Sequence, residues 1–192
     1  MDVRPVAAAV MTRLSARFGE TCHVAVREQD HALYVDKVTG THNLRVQGAP
    51  IGARLDLHCT AVGKILISYN EPAAIEEYLS QNELSRHTPR TITGADAFRA
   101  ETGRVRQQGF AVDLGETVDD VYCVAAPIRD ELGAVVAALS MSAPVNRFER
   151  HRSEYIRWVQ DAATSVSRGL IDHSLSDDEQ EAQGIDYPGA RA

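Results

Sequence analysis

Two apolar runs folded back through a single turn constrain this chain more than any other feature. Residues 121–128 and 134–141 are dominated by apolar side chains, and the segment from Asp130 to Gly133 carries the turn signals of a β-hairpin. Each run is too short to cross a bilayer as a helix, and the turn interrupts them. On the second run Ser140 and Ser142 lie two apart, so a strand aims both to the same side. Hydroxyls at the end of an oily strand need hydrogen-bond partners if they are buried. The hairpin is therefore read as the centre of a sheet, with the two serines lining a pocket on it.

The flanking segments supply the rest of a domain. Residues 3–18 predict an amphipathic helix, with Val6, Val10, Leu14 and Phe18 four apart, Ala7 and Met11 beside them, and Gly19 as the stop. Residues 22–27 alternate, with Cys22, Val24 and Val26 on one face; residues 33–38 predict a second strand and 44–47 a third. Thr60 caps a helix beginning at Ala61, and Pro72 opens another. Thr93 with Asp96 suggests a capping box for a helix ended by Gly109; residues 110–114 return as a strand. Asn146 with Glu149 suggests the cap of a last helix running to about Ile171, with a buried stripe of Tyr155, Val159, Ala162, Val166 and Leu170. Antiparallel strands with helices grouped between and after them indicate an α+β domain.

Charge and cysteine usage exclude several function classes. A net charge of -7 argues against this chain gripping nucleic acid by itself, which needs a basic face. Three widely spaced cysteines, Cys22, Cys59 and Cys123, make neither a disulfide framework nor a zinc motif and fit a reduced, cytoplasmic setting. Charged residues through the first twenty positions are unlike a signal peptide or membrane anchor.

The residues with chemical potential converge on one idea. The first turn of the Ala61 helix, Ala61 and Val62, offers free amides and the positive end of a helix dipole. Ser140 and Ser142, Cys123 on the partner strand and Asp113 on the preceding strand complete a set suited to a small carboxylate. Each has a plainer role open to it: a capped helix start, serines bonding backbone, a core cysteine, a turn-capping aspartate. No Gly-x-Ser-x-Gly elbow surrounds Ser140, and no His/Glu pair is spaced for a metal hydrolase. His58 and Cys59, adjacent in sequence, point apart in a strand and make a poor chelate there. His23 and His87 are read as surface or internally satisfied residues.

In their order, several stretches resemble the C-terminal effector-binding domain of IclR-type bacterial transcriptional regulators. They are Gly-Glu-Thr at 19–21, Leu-Tyr-Val-Asp-Lys-Val at 33–38, Leu-His-Cys-Thr-Ala-Val-Gly-Lys at 57–64, Gly-Phe-Ala-Val-Asp at 109–113 with Glu116, Cys-Val-Ala-Ala-Pro-Ile at 123–128, and Ala-Ala-Leu-Ser-Met-Ser-Ala-Pro at 137–144. The resemblance implies a GAF-like fold: about six antiparallel strands flanked by helices, with a long C-terminal helix. It implies an effector, a small carboxylic or aromatic acid, held by Ala61, Val62, Asp113, Cys123, Ser140 and Ser142. No cofactor, metal or catalytic residue is implied, and a homo-oligomer, dimer or tetramer, is.

Three features depart from the family pattern. No winged helix-turn-helix is recognisable, Asp120 replaces a usual Gly, and Val62 is bulkier than the small residue often found there. The expected organisation is an effector-binding domain over residues 1–173 and an acidic, disordered tail over 174–192, with DNA contact left to an N-terminal domain outside this chain. Two alternatives stand beside this reading: a GAF-like enzyme using Cys123 as a redox or nucleophilic centre, and a stand-alone protein-interaction module.

Overall fold

The structure, a computed structural model, describes residues 2–183, with side chains through Asp172. Helix α1 (Arg4–Phe18) leads into β1 (Thr21–Glu28), β2 (His31–Val38) and β3 (Arg54–Asp56). Three helices follow, α2 (Ala61–Ser68), α3 (Pro72–Gln81) and α4 (Ala95–Gln108). Strands β4 (Ala111–Leu114), β5 (Val121–Arg129) and β6 (Val135–Pro144) precede the last helix, α5 (Val145–Gln183).

The hairpin forms where its sequence placed it. The Asp130 carboxylate accepts the amides of Leu132 and Ala134 at 3.0 and 2.9 Å, and Gly133 takes the left-handed conformation the turn needs, φ +79°. The six strands form one antiparallel sheet in the order β3-β2-β1-β6-β5-β4, so β6 is central. Alternation splits the sheet into two apolar layers. Cys22, Val24, Val124, Leu139 and Met141 pack under α1 and α5; Ala25, Ala125 and Ala138 face α2. The stripe expected on the last helix is buried throughout.

Three local expectations differ from the structure. Residues 44–47 form no strand; the third strand is Arg54–Asp56. Side chains claim the backbone groups of 44–47 that a ladder would use: Arg147 donates to the Leu44 carbonyl at 2.8 Å and Thr21 to that of Val46 at 2.6 Å. Leu44 itself is 74% exposed, so nothing rewards an inward-facing register. At α4, Gly94 occupies the N-cap without a side-chain bond, because Arg86 engages Thr93 and Arg99 engages Asp96. Helix α5 begins at Val145, whose amide bonds the Asp120 carbonyl at 3.1 Å, kinks at His151, where φ is -119° and ψ 15°, and continues past Ile171 to Gln183. Asn146 thus falls in its first turn. Residues 184–192 of the expected tail lie outside the described residues.

Gly63 is where the second layer is tightest. A β-carbon there would come within 2.5 Å of the Leu57 Cα and of Thr60 Oγ1. Gly63→Ala is expected to lower stability by about 1–3 kcal/mol through overpacking, read as a drop in urea midpoint; a wild-type midpoint would show that the turn yields freely.

Candidate effector pocket

The cavity lies on the α2 side of the sheet and encloses about 840 Å³. His23, Asp113, Cys123, Ser140 and Ser142 line its floor and belong to two rows of facing residues set by the strand register. In one, Asp113 pairs with Cys123, Cys123 with Ser142 and Ser142 with Thr21; in the next, Ala125 pairs with Ser140 and Ser140 with His23. Ser140 and Ser142 therefore point to one side, and the Cys123 thiol donates to Ser142 Oγ at 3.1 Å.

Helix α2 forms the facing wall. Thr60 is extended, φ -100° and ψ 144°, and its Oγ1 accepts the Gly63 amide at 3.1 Å while donating to the Asp56 carbonyl at 2.9 Å. The Thr60 carbonyl takes the Lys64 amide at 3.0 Å. That leaves the first-turn amides of Ala61 and Val62, both cavity-lining residues, as the donors the cap does not use. All six residues singled out from the sequence thus border one cavity, Val62 included. Asp120 and the irregular segment 44–50 also contribute to its lining.

The electrostatics follow from burial. Asp113 Oδ1 accepts the Glu116 amide at 2.6 Å and Oδ2 the Thr117 hydroxyl at 3.1 Å, yet desolvation outweighs these bonds and holds its carboxyl above the usual range. Burial, with Asp113 alongside, pushes the Cys123 thiol well up, so it stays protonated. Beneath Asp113, the buried Lys64 ammonium meets the Val112 carbonyl at 2.9 Å, Glu101 at 3.3 Å and the Glu116 carboxylate in a short contact.

Sequence reasoning missed His23, Tyr34 and Arg45 on the lining, and Lys64 beneath it. His23 is buried, and neither ring nitrogen makes a hydrogen bond of good geometry among the described residues, although the Ala49 backbone lies close enough to favour its protonated form. Desolvation pulls its pKa down to about 4, so the ring is neutral near pH 7. A signal existed: with Cys22 and Val24 on one face, alternation leaves His23 on the other. His87, by contrast, is satisfied, bonding Asp56 at 2.9 Å.

The bacterial transcriptional regulator IclR C-terminal profile matches residues 1–168. The transcriptional regulator KdgR of Dickeya chrysanthemi is 37% identical over 82% of this chain and 52% of its own length, and KdgR of Escherichia coli 35% over 85% and 62%. The chain thus spans between half and two thirds of these curated relatives. The crystal structure of the E. coli KdgR C-terminal domain superposes with a TM-score of 0.80 at 32% identity, covering 88% of this chain and 99% of that one. An IclR homologue from Microbacterium hydrocarbonoxydans, solved with 4-hydroxybenzoate, gives 0.80 at 28% identity, covering 88% and 68%. With profile, relatives and fold in agreement over the sheet and its helices, the chain belongs to the IclR family of bacterial transcriptional regulators and carries that family's C-terminal domain.

Proposed function

We propose that the cavity is an effector pocket and that the chain is the ligand-sensing domain of a transcriptional regulator, binding a small carboxylic or aromatic acid without turning it over. The observation that carries this reading is the convergence of the α2 amides, the two serines and the buried His23 ring on one cavity. A carboxylate satisfies several donors at once, and burial makes those bonds strong. The 4-hydroxybenzoate held by the Microbacterium homologue is a ligand of this chemical class. DNA contact is assigned to a separate N-terminal domain of the whole regulator, acting as a homo-oligomer, because this chain is acidic overall. Ligand binding then biases the conformations coupled to that domain.

A thermal-shift screen of small carboxylates and aromatic acids tests the reading. A cognate acid raises the melting temperature by mass action; a screen in which neutral compounds stabilise and no acid does would overturn it. The raised Cys123 thiol argues against nucleophilic chemistry, and slow, high-pH alkylation of Cys123 is expected.

Affinity for the acid is expected to strengthen as pH falls from neutral. An incoming carboxylate beside Asp113 favours the protonated form of a carboxyl that burial already holds high, so binding takes up a proton. The effect spans the pH range between the raised Asp113 pKa of the free protein and its still higher value in the complex, where the ligand itself is ionised. Calorimetry in two buffers of different ionisation enthalpy measures the uptake; Asp113→Asn should reduce it, and pH-independent binding to the wild type would refute the assignment.

A further inference from the structure

Outside the cavity, the turn between β3 and α2 meets the loop 82–94. Asp56 ends β3, His58 and Cys59 lie in the turn, and His87 comes from the loop. One donor atom from each of the four lies within 4.8 Å of the others. The strand argument that set His58 and Cys59 apart fails here because residues 57–59 are a turn, which lets neighbouring side chains converge.

We propose that these four side chains form a binding site for a divalent transition ion of the zinc class. Two imidazoles, a thiolate and a carboxylate make a borderline-soft set that suits tetrahedral zinc. The Nε2 of His87 and Oδ2 of Asp56 stand 2.9 Å apart. Ligand atoms on a tetrahedral zinc with bonds of roughly 2.0–2.1 Å stand about 3.3 Å apart, so this edge opens only slightly. The other edges, none longer than 4.8 Å, have to shorten toward that spacing for the ion to be held.

The surroundings are arranged as metal sites usually are. His58 is fixed by contacts at both ring nitrogens, the Ser85 carbonyl at 3.0 Å and the Tyr78 hydroxyl at 3.4 Å. An ion takes one nitrogen while the other keeps its partner, which orients the ring. The backbone is pre-held as well: the Cys59 carbonyl lies 3.1 Å from the Thr117 hydroxyl, whose one proton it shares with Asp113 Oδ2, and the His87 amide donates to Thr91 Oγ1 at 3.1 Å. His58 and Cys59 are buried, whereas Asp56 and His87 are part-exposed, so the site has solvent access. Binding replaces the thiol proton, which leaves to solvent, and the thiolate and carboxylate together balance the ion's two positive charges.

The bound ion would clip the loop 82–94 to the turn that ends at Thr60, the cap of α2 and part of the cavity wall. The site stands independently of the effector reading, and its test uses no effector. The full chain, freed of any affinity tag, is titrated with Zn²⁺ and with Co²⁺ against a chromophoric chelator. One equivalent of Co²⁺ is expected, with intense tetrahedral d–d bands and a thiolate charge-transfer band in the near ultraviolet. Cys59→Ser should remove the charge-transfer band. His87→Ala, at a part-exposed position that keeps the fold by circular dichroism, should weaken binding by about tenfold or more. No stoichiometric uptake at micromolar ion, a charge-transfer band that survives Cys59→Ser, or affinity unchanged in His87→Ala would each overturn the proposal.

Discussion

Lys64→Met is expected to cost the domain about 3–5 kcal/mol, the range for removing one partner from a buried ion pair. Lys64 is 1% exposed, and its ammonium bridges Glu101, Glu116 and the Val112 carbonyl. Glu101 keeps a second cation, Arg104, after the substitution; the buried Glu116 carboxylate loses its countercharge. Domains of this size have only about 5–15 kcal/mol of total stability, so the loss is large. Chemical denaturation followed by circular dichroism measures it, and a midpoint equal to wild type would refute the account.

The pH dependence of the deficit gives a second reading. Burial already holds the Glu116 carboxyl above its usual range against the pull of Lys64. Without Lys64 its folded-state pKa rises further above the unfolded value. A carboxyl raised in this way contributes stability that is present below the unfolded pKa and lost as pH rises through the folded pKa. The Lys64→Met deficit should therefore shrink as pH falls toward the ordinary glutamate range. Adding Glu116→Gln to Lys64→Met should recover part of the loss at pH 7, because the charge is removed together with its partner.

Ser140→Ala with Ser142→Ala is expected to abolish high-affinity effector binding while leaving the fold intact. Each hydrogen bond from a protein group to a charged ligand contributes roughly 1.5–3 kcal/mol. Losing two such bonds costs about 3 kcal/mol or more, a fall in affinity of at least about a hundredfold. Both side chains sit on the cavity face of β6, while Leu139 and Met141 hold the strand from the opposite face. The melting temperature of the free protein should change little. Calorimetry with the acid found by screening separates binding from stability; affinity within a few fold of wild type would remove the serines from the pocket's donor set.

The elements legible in sequence are those whose stability is local. Thr60 bonds the Gly63 amide as its spacing suggested, Gly109 closes α4 in the left-handed conformation, and Asp130 with Gly133 closes the hairpin. The failures share one cause. Segment 44–47 alternates as a strand does, but Arg147, more than a hundred residues away, and Thr21 take its carbonyls. Thr93 and Asp96 have capping spacing, but Arg86 and Arg99 claim them. At 44–47 the competitors are far away in the chain; at Thr93 and Asp96 they are only seven and three residues off, and there a charged guanidinium takes the oxygen that the cap would use.

The candidate pocket divides along the same line. Period-two alternation alone determined that Ser140 and Ser142 share a face, and capping chemistry alone placed free amides at Ala61 and Val62. Strand order and register lie beyond alternation: pairing β1 with β6 sets His23 opposite Ser140 and leaves the ring buried without a hydrogen bond of good geometry. The Asp56–His58–Cys59–His87 cluster and the Lys64 network likewise join residues up to 31 and 52 positions apart. Their proximity is a property of how loops cross the sheet. By itself the sequence determined the periodic elements and their faces, because those depend on neighbours within a few residues; only the tertiary structure decided which polar groups meet, because burial and pairing depend on the whole packed chain.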